Sequence, residues 1–335
     1  MRIGFTYDLR DDYLAQGFSL EQAAEFDTRE TVNYIHEALE ANGYVVERIG
    51  GVKALVQALA SGKRWDLVFN ICEGVRGVGR EAQVPCLLEA YGIPMVFSPS
   101  DTMVVTMDKS LAKLVVREAG VPTAGFRVIR QVEDLERFDL AFPVFAKPLA
   151  EGTGKGISAN SWVSDLAELK QTCLSLLTEF HQPVLVETYL AGRDLTVGII
   201  GSGESARVIG VLETLSKEGA EAGGQGFYNK ENCEEVLEYV LIEDDLADHA
   251  ARVALDSWRA LGCLDAGRVD LRCDHAGIPH FLEVNPLAGL HPYHSDLPIL
   301  AAKAGLSYHQ LMGNIVKEAL TRLSAQIPLD CCSGS

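Results

Sequence analysis

Apolar and polar residues alternate most regularly in two nearby segments, GRVDLRC and PHFLEVN, within residues 263–298. This spacing predicts two β-strands joined by an Asp-His-Ala-Gly turn. Because side chains alternate between the two faces of a strand, Arg268 and Asp270 would share one face, and so would Glu283 and Asn285. If the strands pair, one face of the hairpin carries these four polar groups and the other face is aliphatic.

Carboxylates in a mostly apolar strand are costly to bury unless they are ion-paired or bound to a metal. Asp270 and Glu283, together with the amide oxygen of Asn285, form a set of hard oxygen donors that suits Mg²⁺. The hairpin therefore predicts a magnesium site. The alternative is a sheet whose polar face is simply solvated.

The first part of the chain alternates between strand and helix patterns. Strands are predicted at 1–7, 44–49 and 66–71, and helices at 28–42, 52–60 and 82–91. This order predicts a parallel sheet covered by helices, that is, an α/β fold class. Ligands of such sheets bind beyond the carboxyl ends of the strands, where a Gly-rich stretch, CEGVRGVGREAQ, follows the third strand. Its candidate substrate residues are Glu73, Arg80 and Glu81.

The remaining elements predict a mixed α+β arrangement. Helices are expected at 109–119, 166–177, 244–261, 297–304 and 308–323, and strands at 142–147, 157–163, 183–189 and 195–201. Residues 213–235 are rich in Gly, Glu and Lys without periodicity, which predicts a mobile segment.

Composition excludes several classes of protein. The formal net charge of −18 argues against non-specific binding to nucleic acids or anionic membranes, which requires a basic surface. No apolar run is long enough to span a membrane, and the first residues lack the pattern of a secretory signal. The eight cysteines show no CxxC spacing, so a reducing compartment, the cytoplasm, is expected.

Several polar groups suit a nucleotide. The loop EGTGKG, Glu151 to Gly156, joins two predicted strands as a lid would, and its glycines let backbone N–H groups approach a phosphate. Lys109 and Lys147 could bind phosphate oxygens, and Glu187 and Asp194 could bind an adenine amine and a ribose hydroxyl. Each feature, taken singly, also has an ordinary structural interpretation. The loop could be a flexible hairpin, each lysine could be solvated, and each acidic residue could lie at a solvated strand end.

Six motifs occur in order along the chain: MDK, KP followed by EGTGKG, VLVETYLAGRDLTV, LGCLDAGRVDL, FLEVNPLAGL and SDLP. Together they resemble the D-alanine–D-alanine ligase family of the ATP-grasp superfamily. The resemblance covers residues 68–320, and more loosely the chain from residue 1. It implies an N-terminal substrate-binding domain (1–98), a central lid domain (99–190), a C-terminal catalytic domain (191–327) and a disordered tail (328–335).

The resemblance also implies a chemistry. ATP phosphorylates a carboxylate, an amine attacks the acyl phosphate, and an amide, ADP and phosphate are released. The implied substrates are two small molecules, a carboxylate and an amine. The implied cofactors are ATP and two Mg²⁺ ions, with Mn²⁺ as an alternative. The chain is also expected as a possible homodimer. By position, the nucleotide contacts fall on Lys109, Lys147, Glu151, Gly152, Gly154, Glu187 and Asp194, the metal ligands on Asp270, Glu283 and Asn285, and the transition-state arginine on Arg268.

The amino-acid half departs from the family pattern. The usual N-terminal element is missing, which leaves Glu25 as a loose candidate for the first-substrate glutamate. In the lid, Thr153 and Gly154 stand where the family has serines, and Glu231 replaces a tyrosine beside the mobile-loop lysine, Lys230.

The loop 286–298 is one residue longer than the corresponding loop of the family. Its candidate substrate contacts are Gly289, His294 and Ser295. The alternative is that Ser295 or Asp296 only caps the next helix. These departures predict weak or no D-Ala–D-Ala synthesis, and better turnover when at least one of the two substrates is another amino acid or a larger carboxylate. A ligase for other amino-acid or peptide substrates and a non-catalytic ATP-binding regulator are the alternative functions.

Overall fold

Three β-sheets, each covered by helices, form the framework of the described part of the chain. The coordinates are a computed structural model, and the structure describes residues 1–77, 79–217, 219, 229 and 233–325. The predicted tail (328–335) and Lys230 lie outside the described residues.

The first sheet is parallel, in the order β2-β1-β3, as its sequence pattern predicted. Its strands are β1 (Arg2–Tyr7), β2 (Val45–Arg48) and β3 (Leu67–Ile71). The side-chain oxygen of Thr28 accepts a hydrogen bond from the Thr31 N–H and so caps the longest helix of this region. The helices are α1 (Arg10–Leu14), α2 (Arg29–Ala41), α3 (Val52–Ala60), a 3₁₀ turn (Arg80–Ala82) and α4 (Gln83–Ala90).

The second sheet is antiparallel, in the order β4-β7-β5-β6. Its strands are β4 (Phe126–Ile129), β5 (Val144–Pro148), β6 (Trp162–Val163) and β7 (Val184–Thr188). The helices of this part of the chain are α5 (Ser100–Met107), α6 (Lys109–Glu118) and α7 (Leu166–Phe180), of which α7 packs against this sheet and α6 against the third sheet. The strand predicted at 157–163 is wrong except for its last two residues. Ser158 and Ser161 bond to nearby backbone N–H groups instead, which favours a 3₁₀ turn there.

The third sheet is antiparallel, in the order β10-β9-β8-β11-β12. Its strands are β8 (Asp194–Ile200), β9 (Arg207–Ser216), β10 (Leu237–Leu241), β11 (Ala266–Cys273) and β12 (Pro279–Asn285). The prediction of a mobile segment at 213–235 is wrong for residues 213–216, which pair with β8 and β10. The helices are α8 (Cys233–Val236), α9 (Asp245–Ala260), α10 (Asp296–Lys303) and α11 (Tyr308–Ala325).

The N-terminal sheet and the last two helices share one apolar core. Ile3 and Phe5 of β1 pack in the same cluster as Leu297 of α10 and Met312 of α11. The second sheet has a separate core, formed with α7. The loop 151–156, called the Gly-rich loop below, therefore follows a strand of a sheet that has its own core. The third sheet, in contrast, shares a core with the first sheet. The domain limits at 98 and 190 remain a prediction.

No helix in the described part of the chain is both long enough and apolar enough to cross a membrane.

Candidate active site

The hairpin of β11 and β12 places four polar side chains on one face. Arg268 pairs with Asn285 and Asp270 with Glu283 in an antiparallel register, as the alternation predicted. A register shift follows Asp270, so the alternation is interrupted only after the four polar positions. Asp270 is 6% exposed. The other three side chains are partly buried, so the polar face lines a cavity and is not a freely solvated surface.

Asp270 is held from three sides. Its carboxylate contacts the guanidinium of Arg268, and it accepts hydrogen bonds from Asn285 Nδ2 at 3.2 Å and Thr196 Oγ1 at 3.1 Å. Arg268 also lies 3.4 Å from Asp296. Burial disfavours the charged guanidinium, but the two carboxylates outweigh burial and raise the pKa of Arg268. The arginine is thus fixed in place and stays charged.

The donor chemistry of this face fits magnesium. Asp270 and Glu283 lie opposite each other in the register, and Asn285 adds an amide group beside them. Hard cations of this kind prefer carboxylate and amide oxygens. In the described part of the chain, no three side chains drawn from His, Cys, Asp and Glu cluster as metal ligands.

A first cavity opens on one side of the hairpin. It collects the residues that the sequence assigned to a nucleotide from four places: helix α6, the loop 151–156, the second sheet and β8. Its lining includes Lys109, Lys147, Glu151, Gly152, Gly154, Glu187, Asp194, Asp270 and Glu283.

Glu187 is bound between two lysines in this cavity wall. Its carboxylate lies 2.8 Å from Lys147 Nζ and 2.9 Å from Lys113 Nζ. Burial alone would raise the pKa of Glu187, but the two lysines lower it to about 2. The sequence analysis missed Lys113, although it follows Lys109 by four residues and therefore lies on the same face of α6.

Lys109 connects the hairpin to the Gly-rich loop. Its Nζ donates a hydrogen bond to the Glu151 carbonyl at 2.6 Å and lies 3.3 Å from Glu283. The lysine therefore contacts both walls of the cavity.

Glu25 fastens the Gly-rich loop to the N-terminal unit. Both of its oxygens accept hydrogen bonds from Arg80 Nη2 at 2.9 Å; it also accepts from Lys155 Nζ at 3.0 Å and from the Gly152 N–H at 2.8 Å. Burial would raise the pKa of Glu25, but Arg80 and Lys155 outweigh it and lower the pKa. Lys155 was missed from the sequence even though it lies inside the EGTGKG motif. The role of Glu25 toward a substrate remains a prediction.

A second cavity adjoins the first and shares Lys109, Glu151, Gly152 and Glu283 with it. Three of the six residues that the sequence assigned to the substrates line it, Glu73, Glu81 and Gly289, whereas His294 and Ser295 do not. The lining also includes Glu25, Thr153, Arg268 and Asn285. Arg80 stands behind this lining, in its ion pair with Glu25.

The loop 286–298 folds back on itself beside the second cavity. Ser295 is the N-cap residue of α10, but its side chain makes no cap bond; its Oγ accepts a hydrogen bond from the His291 N–H at 3.0 Å. The alternative that Asp296 is the cap is wrong, because Asp296 is the first helical residue. His294 donates its N–H to His291 Nδ1 at 3.2 Å. A Cβ on Gly289 would lie 2.7 Å from Ser295 Oγ, so a larger residue here would have to displace the Ser295 hydroxyl.

Comparisons with known proteins agree with this architecture. The family model described as "D-ala D-ala ligase C-terminus" matches residues 115–317. A D-alanine–D-alanine ligase of Bordetella avium is 30% identical over 297 residues, 87% of this chain and 89% of that protein. An uncharacterised protein of Sinorhizobium fredii is 33% identical over 76% of this chain and 75% of its own length.

Among solved structures, the D-alanine–D-alanine ligase of Bacillus anthracis complexed with ATP superimposes with a TM-score of 0.72 at 23% identity, covering 98% of this chain and 100% of that one. The fold is therefore the ATP-grasp fold of these ligases. The chain belongs to the D-alanine–D-alanine ligase family of ATP- and Mg²⁺-dependent ligases.

Proposed function

We propose that this protein uses ATP to join the carboxylate of one amino-acid-like molecule to the amine of another, through an acyl phosphate. The observation that carries this proposal is the meeting of the two cavities at one residue set. Lys109, Glu151, Gly152 and Glu283 line both of them. A phosphate in the first cavity and a carboxylate in the second would thus meet beside the Asp270–Glu283 face.

The nucleotide roles follow from charge and position. Lys109 and Lys147 would bind phosphate oxygens, and Glu187 and Asp194 would contact the adenine amine and the ribose. Asp270, Glu283 and Asn285 would hold Mg²⁺ (two ions, or Mn²⁺ in its place), which neutralises phosphate charge when bound. Phosphoryl transfer depends mainly on positioning and charge neutralisation. A site of cations and carboxylates without an activated nucleophile suits that requirement.

Arg268 would stabilise the oxyanion that forms when the amine attacks. Its guanidinium lines the second cavity and is oriented from behind by Asp270 and Asp296. A guanidinium fixed in this way is preorganised for a developing negative charge. Thr153 and Lys230 would complete the closed site from the loops.

The substrates are amino acids or close relatives of them. The names of the relatives make D-alanine with D-alanine the first pair to assay, whereas the acidic lining of the second cavity supports a different amino acid as the better carboxylate substrate. We place the reaction in the cytoplasm, where ATP and free amino acids are available, and a homodimer remains a prediction.

The proposal is tested by following ADP release with pairs of D- and L-amino acids and identifying each product by mass spectrometry. We expect amide product and ADP in equal amounts with at least one pair, and neither from Glu283→Gln. ADP release that never depends on an added amino acid, or no release with any pair, would refute the ligase function. D-Alanyl-D-alanine formed at a kcat of about 10 s⁻¹, a typical value for enzymes on their own substrates, would show that the substrate expectation is wrong.

A further inference from the structure

Two carboxylates in the second cavity have no counter-charge in contact with them. In the described part of the chain, no side-chain hydrogen bond or ion pair involves Glu73 or Glu81, although both line the cavity. Glu73 follows β3 directly, and Glu81 belongs to the 3₁₀ turn that ends the Gly-rich stretch. Both therefore reach the cavity from the N-terminal unit.

The other carboxylates of this cavity are already compensated. Glu25 is bound by Arg80 and Lys155, and Glu283 lies against Lys109. A third interaction, between Lys155 and Glu151 at 3.3 Å, neutralises the loop glutamate. Glu25 is thus fully engaged in holding the loop, which leaves Glu73 and Glu81 to receive a cation.

The cavity has a further polar group without a partner. The Thr153 hydroxyl is buried and makes no hydrogen bond to any described residue. Buried hydroxyls in folded proteins are normally hydrogen-bonded, so an unpartnered one in a cavity indicates a polar atom of a ligand. Beside these polar groups lie Met107, Pro286 and Leu287, whose apolar surfaces suit the methylene groups of a substrate stem.

An ordinary amino acid brings one ammonium group to this pair of carboxylates, and its own carboxylate leaves it with no net charge. A diamino acid brings two ammonium groups and a net positive charge, which suits a cavity wall where two glutamates have no cation in contact with them. We propose that the carboxylate substrate is a diamino acid whose side-chain ammonium binds at Glu73 and Glu81. This inference rests on the ligase function proposed above and specifies its substrate class.

The protonation behaviour of the two glutamates agrees with this assignment. Burial raises the pKa of Glu73 well above its usual value, and the charge of Glu81 raises it further. Burial likewise raises the pKa of Glu81 to about 7, although Arg80 opposes the shift. An ammonium group between the two carboxylates would remove the cost of ionising both.

The test compares two substrates that differ by one amine, 2,4-diaminobutyrate and 2-aminobutyrate. Each enantiomer is assayed for ADP release, alone and with D-alanine as the partner. We expect kcat/KM to be about 10- to 100-fold higher for the diamino acid, as one charged hydrogen-bonded contact would give. In Glu73→Gln and Glu81→Gln this ratio should fall toward one, while the exposed-site control Glu118→Gln should retain it.

Binding provides a readout that does not depend on turnover. Titration calorimetry in the presence of ADP and Mg²⁺ should show the diamino acid binding the wild-type protein about 10-fold or more tightly than 2-aminobutyrate. Equal affinities, or a preference that survives both glutamine variants, would overturn the inference and leave the ligase function intact. If no pair of amino acids supports ADP release, the proposed function fails and the substrate assignment fails with it, whereas the calorimetric comparison still decides whether the cavity binds a diamino acid.

Discussion

The cluster of Glu25 with Arg80 and Lys155 should stabilise the fold measurably, and Glu25→Gln tests this. The side chains are 8%, 10% and 8% exposed, in that order, so water would poorly solvate the two cations left behind. Removing one partner from a buried ion pair typically costs about 3–5 kcal/mol. A glutamine oxygen can still accept from the Gly152 N–H, so we expect the free energy of unfolding to fall by about 3 kcal/mol, at the low end of that range.

The matched control is Glu47→Gln. Glu47 also contacts two cations, Lys63 at 2.7 Å and Arg2 at 3.1 Å, but its side chain is 30% exposed and those of the lysine and arginine are 55% and 60% exposed. Ion pairs with this exposure contribute at most about 1 kcal/mol. Urea unfolding of the two variants and the wild-type protein at pH 7 measures the difference.

The pH dependence gives a second check on Glu25. Its folded-state pKa is lowered, so the stabilisation is present above its ordinary value of 4.5 and is lost as the pH falls through the lowered pKa. The stability difference between wild type and Glu25→Gln should therefore shrink in acid. A loss no larger than that of the Glu47→Gln control at pH 7, or a difference independent of pH, would refute the reasoning.

Four further predictions concern the site. Glu283→Gln and Asp270→Asn should each lower kcat by about 10³-fold with an unchanged circular dichroism spectrum, because the metal ligands neutralise phosphate charge; near wild-type ADP release would exclude that role. Arg268→Lys should lower kcat by about 10²–10³-fold with little change in KM for ATP, and weakened ATP binding with normal kcat would make it a nucleotide contact. Gly154 has a φ of 72°, which a valine rarely adopts. Gly154→Val should therefore raise ATP hydrolysis relative to amide formation, because a loop that closes poorly admits water. An unchanged ratio of ADP to amide in this variant would count against a closing lid. The pKa of Glu81 rises from 4.5 to about 7 on folding, mainly through burial, so the free energy of unfolding should fall as the pH rises from about 4.5 through 7. Urea titrations should show that Glu81→Gln flattens this pH profile, and an unchanged profile in the variant would contradict the prediction.

The sequence by itself determined the elements whose signals are local. The alternation in β11 and β12 gave the face that carries Arg268, Asp270, Glu283 and Asn285, because a short turn leaves one natural way to pair the two strands. The strand–helix alternation of the first 71 residues likewise gave the parallel sheet. Both patterns can be read within about 30 residues of chain, so no distant contact is needed to interpret them.

Local patterns failed where neighbouring residues compete or where a strand depends on partners. The strand predicted at 157–163 was largely replaced by a serine-bonded turn, and β9, with Gly210 and several polar residues, shows no clear alternation of its own. It forms because β8 and β10 pair with its two edges. Strand propensity depends strongly on such context, which a single sequence does not display.

Only the tertiary structure decided which charges meet. Glu25 lies in an irregular segment, 55 residues from Arg80 and 130 from Lys155, and no periodicity relates positions so far apart. Lys113 is buried behind the wall of the first cavity, where it pairs with Glu187 of a distant strand. Charges buried in a protein must find partners, and the chain satisfies that requirement in space and not along the sequence. For this reason the sequence identified the polar face of the hairpin, whereas the fold alone showed that Glu25 is engaged by Arg80 and Lys155 and that Glu73 and Glu81 have no cation in contact with them.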